Sequence, residues 1–170
     1  MRLHKGMRPQ DIVVLLKLSH AQDKRQRSLA EALYMSQAEI SDSLGRSHLA
    51  GLLDGTKKIV YRNNLLEFLL YGLKYTFPAI PGRVQRGVPT AISAAPLQEE
   101  ILSEVKYVWP YAKGEIMGES IDPLHQNQHL AALADSKLHQ KLALVDAIRL
   151  RKPRETQLAI QHLQNLLRDE

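Results

Sequence analysis

Apolar positions along this chain recur mostly at helical spacing and divide it into a series of short amphipathic segments. Ile12, Val13, Leu15, Leu16 and Leu18 give the first segment a broad apolar face. Pro9 suits an early helical position, where a missing N–H costs little, so a helix is expected from about Pro9 to Ser19. Residues 21–27 are a polar connector with three cations. Ser28 and Glu31 then match the S-x-x-E capping box, in which each side chain satisfies an orphan N–H, and Ser36 with Glu39 repeats it eight residues later. Two helix starts this close leave room for one short helix and a tight turn, Tyr34-Met35-Ser36. The second helix is expected to run to about Leu52, with Ile40, Leu44 and Leu49 facing inward and Asp54-Gly55 as its stop. Asn63 or Asn64 is placed to cap the next helix, LLEFLLYGLKYTF, which is apolar on most sides and therefore buried or dimer-forming.

The pattern breaks over residues 78–98, where Pro78, Pro81, Pro89 and Pro96 alternate with Gly82 and Gly87. These residues oppose regular helix, and the stretch is too long for an ordinary connection, which predicts a packed or functional loop. Beyond it, residues 97–106 read as a helix, and residues 107–121 alternate as strand, turn and strand with Lys113-Gly114 at the turn. The tail reads as helices over about Gln126–Ala134, Ser136–Leu150 and Pro153–Asp169, with Asp135 as an N-cap and Pro153 in a first turn. Leu138, Leu142, Val145 and Ile148, and then Ile160, Leu163 and Leu167, mark their inner faces.

Composition narrows the class. With 44% hydrophobic and 24% charged residues in 170, the chain is neither disordered nor fibrous, and 5% aromatics imply an aliphatic core. The absence of cysteine excludes disulfides, thiolate metal sites and cysteine nucleophiles. MRLHKGMRPQ lacks the apolar run of a signal peptide, and no apolar stretch is long enough to span a bilayer, so a cytoplasmic location is expected. Residues 1–94 hold 14 Lys+Arg against 7 Asp+Glu, whereas residues 95–170 hold 9 against 11. An anionic partner is therefore expected at the first part of the chain.

The segment SLAEALYMSQAEISDSLGRSHLAGLL, residues 28–53, carries the functional signal. A helix-turn-helix needs a small residue where its helices cross, here Ala30, and a branched anchor in the second helix, here Ile40 ten residues later. Leu29, Leu33 and Leu44 complete the packing. LAEALYMSQAEIS resembles the helix-turn-helix of LysR- and MarR-type bacterial regulators. Over its length the chain is similar to MarR-like winged-helix proteins in NLLEFLLYGLKYTFPA, RGVPTAISAAPL, ESIDPL and LALVDAIRL. The resemblance implies a mainly α fold, a winged helix-turn-helix with a small β-hairpin and a helical C-terminal segment. The charge imbalance and the Pro/Gly stretch divide the chain into an expected DNA-binding unit over 1–77, a Pro/Gly loop over 78–96 and a dimerisation or partner-binding unit over 97–170. By the same resemblance Ser36, Gln37 and Ser41 contact DNA in a major groove, and Asp42, which repels phosphate, is expected there as an acceptor from cytosine N4. Asp42 stands where LysR-type helices often carry a base, and Tyr34 where glycine is common, so the turn is expected to avoid a left-handed backbone there.

Cations surround this segment. Arg25, Arg27, Arg46, Lys57, Lys58, Arg62 and Arg86 are the expected phosphate contacts. Four such contacts would give log affinity a slope of about −3.6 against log salt. The wing has three candidates, Lys57–Arg62, Gly82–Gly87 and 107–121, of which Arg86-Gly87 is the preferred tip.

No catalytic residues, metal or cofactor are expected. The chain has no P-loop, G-x-G-x-x-G or G-x-S-x-G element, and His125 and His129 lack a third ligand at a known spacing. Tyr107, Trp109 and Tyr111 fall on one strand face, which suits either a core or a base-stacking platform. The expected partners are double-stranded DNA and a second copy of the chain, as a homodimeric transcriptional regulator, with a protein partner possible through the C-terminal segment and no membrane. The alternative is a protein-interaction adaptor or antitoxin-like partner of another protein.

Overall fold

The computed structural model describes residues 6–168 and is mainly helical, with one small sheet. Helices α1 (Pro9–Leu18), α2 (Gln26–Leu33) and α3 (Gln37–Leu49) come first. Helix α4 (Arg62–Glu67) continues through a π turn, Phe68–Gly72, into α5 (Leu73–Thr76). Strands β1 (Val84–Pro89), β2 (Tyr107–Pro110) and β3 (Ile116–Ser120) follow, then α6 (Gln128–Ala134), α7 (Ser136–Leu150) and α8 (Pro153–Arg168). Among the described residues no helix is long and apolar enough to cross a membrane.

The apolar face read for α1 is fully buried, and α1 packs on α2, α3 and α7. Helix α7 is the centre of the molecule, buried without interruption from Lys141 to Arg149 and flanked by α1, α5, α6 and α8. Its N-cap is Asp135, whose carboxylate accepts from the Leu138 N–H at 3.1 Å, and Pro153 opens α8, both as their residue types require.

Four local expectations are corrected. Helix α2 begins at Gln26 rather than after Ser28, because both members of the first capping box have other partners. The Ser28 hydroxyl donates to Asp23 and Glu31 accepts from Arg27. Helix α3 ends at Leu49, where Gly51 takes a left-handed φ of 78° and Leu52 turns into the core. Leu49 is consequently 71% exposed instead of facing inward. Residues 97–106 form only a 3-10 turn, Leu97–Glu99, since Leu97 reaches the core while Leu102 and Val105 remain exposed. The stretch 78–96 is not all loop, because it contains β1.

The sheet is also wound differently from a hairpin. β1 is antiparallel to both other strands, pairing Val88 with Trp109 and Arg86 with Met117, while β2 and β3 are parallel to each other. The chain between them must wrap around β1 at Gly87. Gly114 sits there with its backbone against Gly87: a Cβ on Gly114 would lie 2.2 Å from the Gly87 carbonyl, and one on Gly87 would lie 2.0 Å from the Trp109 oxygen. Two glycines at one crossing are what permit the closure. Arg86-Gly87 is thus mid-strand rather than the tip of a wing.

Candidate nucleic-acid interface

Helices α2 and α3 pack together, and buried Ala30 offers only a methyl group to the core there. The turn between them is set by Tyr34, which adopts φ 56° and ψ 40°, the left-handed conformation that the sequence reading excluded for a tyrosine. The surroundings hold it there. Met35 donates its N–H to the Ala30 carbonyl at 3.0 Å, and the Tyr34 carbonyl accepts from the Asn127 side-chain amide at 3.1 Å. A left-handed non-glycine residue costs about 1–2 kcal/mol, which these contacts offset.

The second capping box forms as read. The Glu39 N–H donates to Ser36 Oγ at 3.1 Å, and the Ser36 N–H donates to the Glu39 carboxylate at 2.7 Å. These bonds hold the Glu39 carboxyl below its usual range, with burial opposing weakly. Helix α3 buries Ile40, Ser43, Leu44 and Ser47, and turns Gln37, Ala38, Ser41 and Asp42 to solvent. The four residues expected at a groove, Ser36, Gln37, Ser41 and Asp42, therefore lie together on one exposed face at the N-terminal end of α3.

Immediately after α3 the chain makes a tight hairpin. Leu53 and Val60 form an antiparallel bridge, Asp54 N–H donates to the Ile59 carbonyl, and Tyr61 N–H to that of Leu52. The Asp54 carboxylate organises the tip. It accepts from the Thr56 hydroxyl at 2.6 Å and from the N–H groups of Thr56, Lys58 and Ile59. The Thr56 hydroxyl and the Ile59 N–H lead in pulling this carboxyl down to about 2. Lys57 takes a left-handed φ of 58°, and the tip carries a half-buried Lys57 and an exposed Lys58 on a braced loop. Of Lys57–Arg62, one of the three candidate wing stretches, Lys57–Tyr61 supply the tip and second arm of this hairpin, while Arg62 opens α4.

The other expected phosphate contacts divide into two groups. Arg25 and Arg27 are exposed and paired with the surface carboxylates of Asp23 and Glu31. Arg46 and Arg62 are turned into the fold. Arg46 makes a two-pronged ion pair with Asp11, at 2.9 and 2.7 Å, and Asp11 has no exposed surface. Arg62 donates to the carbonyls of Leu167 and Ser19, fastening α4 to α8 and α1. Neither guanidinium is available to a phosphate without uncovering its partner. Arg86 belongs to β1, where it donates to the Gly114 carbonyl at 3.2 Å.

The remaining candidates resolve as structure. Tyr107 and Trp109 are buried and cannot stack on bases. His129 lies against the Tyr111 ring, and burial lowers the pKa values of both His125 and His129. Among the described residues no group of three or more His, Cys, Asp or Glu side chains gathers where a metal ion could sit. Sequence reasoning did not find Asp54 as the organiser of the hairpin, although Asp at a turn start is a recognised signal. Compared with protein-family models, with curated proteins and with solved structures, the chain matches none of them.

Proposed function

We propose that the chain is a winged helix-turn-helix protein that binds double-stranded DNA and acts as a transcriptional regulator. One observation carries this reading: the polar N-terminal face of α3 is exposed, and the next element in the chain is a braced hairpin tipped by Lys57 and Lys58. A helix face of this kind fits a major groove, while a lysine-tipped hairpin following the helix is suited to reach a phosphate strand. In this role Gln37 reads a base edge, since its amide serves adenine with two hydrogen bonds. Ser36 and Ser41 set the helix against the backbone, and Asp42 accepts from a cytosine amine. Lys57 and Lys58 hold phosphates, with Arg25 and Arg27 exchanging their surface carboxylates for phosphate. Two copies reading two half-sites about one helical turn apart complete the arrangement.

The test is selection of bound duplexes from a random-sequence pool across a salt series. An enriched palindromic motif with a negative salt slope supports the proposal, and its half-site spacing gives the dimer geometry. No retention at low salt overturns it. A second reading, a protein-interaction adaptor, is favoured by one observation: α3 carries no outward unpaired cation, because Arg46 is committed to Asp11 while Asp42 faces solvent. Salt-insensitive association with a protein, with no affinity for any duplex, would establish that reading instead.

A further inference from the structure

The helical stretch from Arg62 to Thr76 covers the core with Leu65, Leu66, Leu69 and Leu73 and, among the described residues, leaves its opposite side exposed. Tyr71 and Tyr75 stand there one turn apart, 70% and 72% exposed. A single exposed tyrosine needs no explanation, but these two share a stripe with charges in a definite order. Glu67, exposed, lies a turn before Tyr71, and Lys74 lies beyond it with its ammonium 5.1 Å from the Tyr75 ring centre. Read along the helix, the stripe is acid, aromatic, then base with aromatic.

That order is self-complementary on reversal. We propose that this stripe is a two-fold contact between two copies of the chain, the helices antiparallel and Tyr71 at the axis. Each Glu67 then faces Lys74 of the other copy, on either side of a central pair of Tyr71 rings. A parallel arrangement would set Glu67 on Glu67 and Lys74 on Lys74, so the charge order selects the antiparallel one. Each covered tyrosine contributes roughly 150–250 Å². Two per copy fall well short of the ~800 Å² per partner of a standard stable interface, so the contact is weak and concentration-dependent. One duplex holding both copies would tighten it through effective concentration. The inference deepens the two-copy part of the proposed function, and its test contains no DNA.

Sedimentation of the full chain from about 1 µM to about 1 mM should show a monomer–dimer equilibrium. Glu67→Lys and Lys74→Glu should each weaken it at least ~10-fold by placing like charges together, and the double exchange should restore it. The chain contains no cysteine, so Tyr71→Cys supplies a single thiol, and mild oxidation should link two copies at the axis. All these positions face solvent or its edge, and circular dichroism verifies that each variant is folded. A monomer throughout the range, a dimer indifferent to both charge reversals, or a double exchange that fails to restore association overturns the proposal. Failure of DNA binding leaves these readouts untouched, and their failure leaves the α3 face and its hairpin untouched.

Discussion

The indole of Trp109 donates its Nε1–H to Asp146 across 2.7 Å, at a point where neither residue has exposed surface. The same carboxylate accepts from the Thr90 hydroxyl at 2.7 Å and, on its other oxygen, from Arg149 at 2.7 Å. Arg149 in turn donates to the carbonyls of Phe77 and Asp122. One buried carboxylate thus ties the sheet, the segment after β1 and the end of α5 to helix α7. Asp146→Ala leaves a guanidinium buried without its counter-charge, and a loss of about 3–5 kcal/mol is expected. Trp109→Phe removes one charge-assisted hydrogen bond and should cost less, about 1.5–3 kcal/mol. Urea unfolding of the two variants checks the order.

The pair Arg46–Asp11 separates a structural cation from those proposed to hold phosphates. Arg46→Ala strands the Asp11 carboxylate, leaving it the hydrogen bond from the Arg8 N–H at the start of α1 but no counter-charge from Arg46. It should destabilise the fold by about 3 kcal/mol or more. Lys57→Gln with Lys58→Gln should leave stability within about 0.5 kcal/mol, since both side chains reach solvent. On the proposed function, the lysine pair flattens the salt slope of duplex binding by about 1.8, and Gln37→Ala removes sequence preference while non-specific affinity persists. Stability and salt titrations on the same variants tell these roles apart.

Two glycines should respond to alanine with opposite signs. A Cβ at Gly114 meets the Gly87 backbone at 2.2 Å, and backbone cannot step aside as a side chain end does. Gly114→Ala should cost about 3 kcal/mol, at the upper end of overpacking. Gly45 lies inside α3 with nothing within 4 Å of the position a Cβ would take, so Gly45→Ala should stabilise by up to ~1 kcal/mol. Thermal unfolding gives the sign of each.

At Tyr34 the backbone alone is strained. Tyr34→Gly relieves the left-handed conformation, offset by glycine's greater unfolded-state freedom, for a net gain of up to ~1 kcal/mol. Tyr34→Val should destabilise by about 1 kcal/mol or more, because a β-branched residue tolerates that region least. Denaturant midpoints decide between them.

The hairpin after α3 should loosen in acid. The Asp54 carboxyl titrates at about 2 in the folded chain, below its ordinary 3.8, because the charged form accepts the hydrogen bonds that shape the tip. Its contribution is complete above the ordinary value and is lost as pH falls through about 2. Protection of the Lys58 and Ile59 amides, measured against their intrinsic exchange rates, should fall over that window, and Asp54→Asn should lower it already at neutral pH.

Local chemistry determined much of this molecule. Helix α1 follows from its apolar face and Pro9, α7 from Asp135, α8 from Pro153, and α3 from the reciprocal bonds of Ser36 and Glu39. Each of these signals acts within a turn or two of chain, so it is present in the sequence whatever the rest does. The exposed face of α3 was legible for the same reason, because helical spacing alone separates Ile40 and Leu44 from Gln37 and Ser41. Tertiary structure decided the remainder. Tyr34 is left-handed because contacts from Ala30 to Met35 and from Asn127 hold the turn. Arg46 faces inward because Asp11, thirty-five residues earlier, lies buried opposite it. The strands after residue 83 close around Gly87 instead of forming a hairpin, since two missing side chains let backbone approach backbone. Residues 97–106 form no helix beyond one 3-10 turn, with Leu97 packed into the core and Leu102 and Val105 left exposed. Pairings between distant residues depend on where the chain brings them, and no local pattern encodes that.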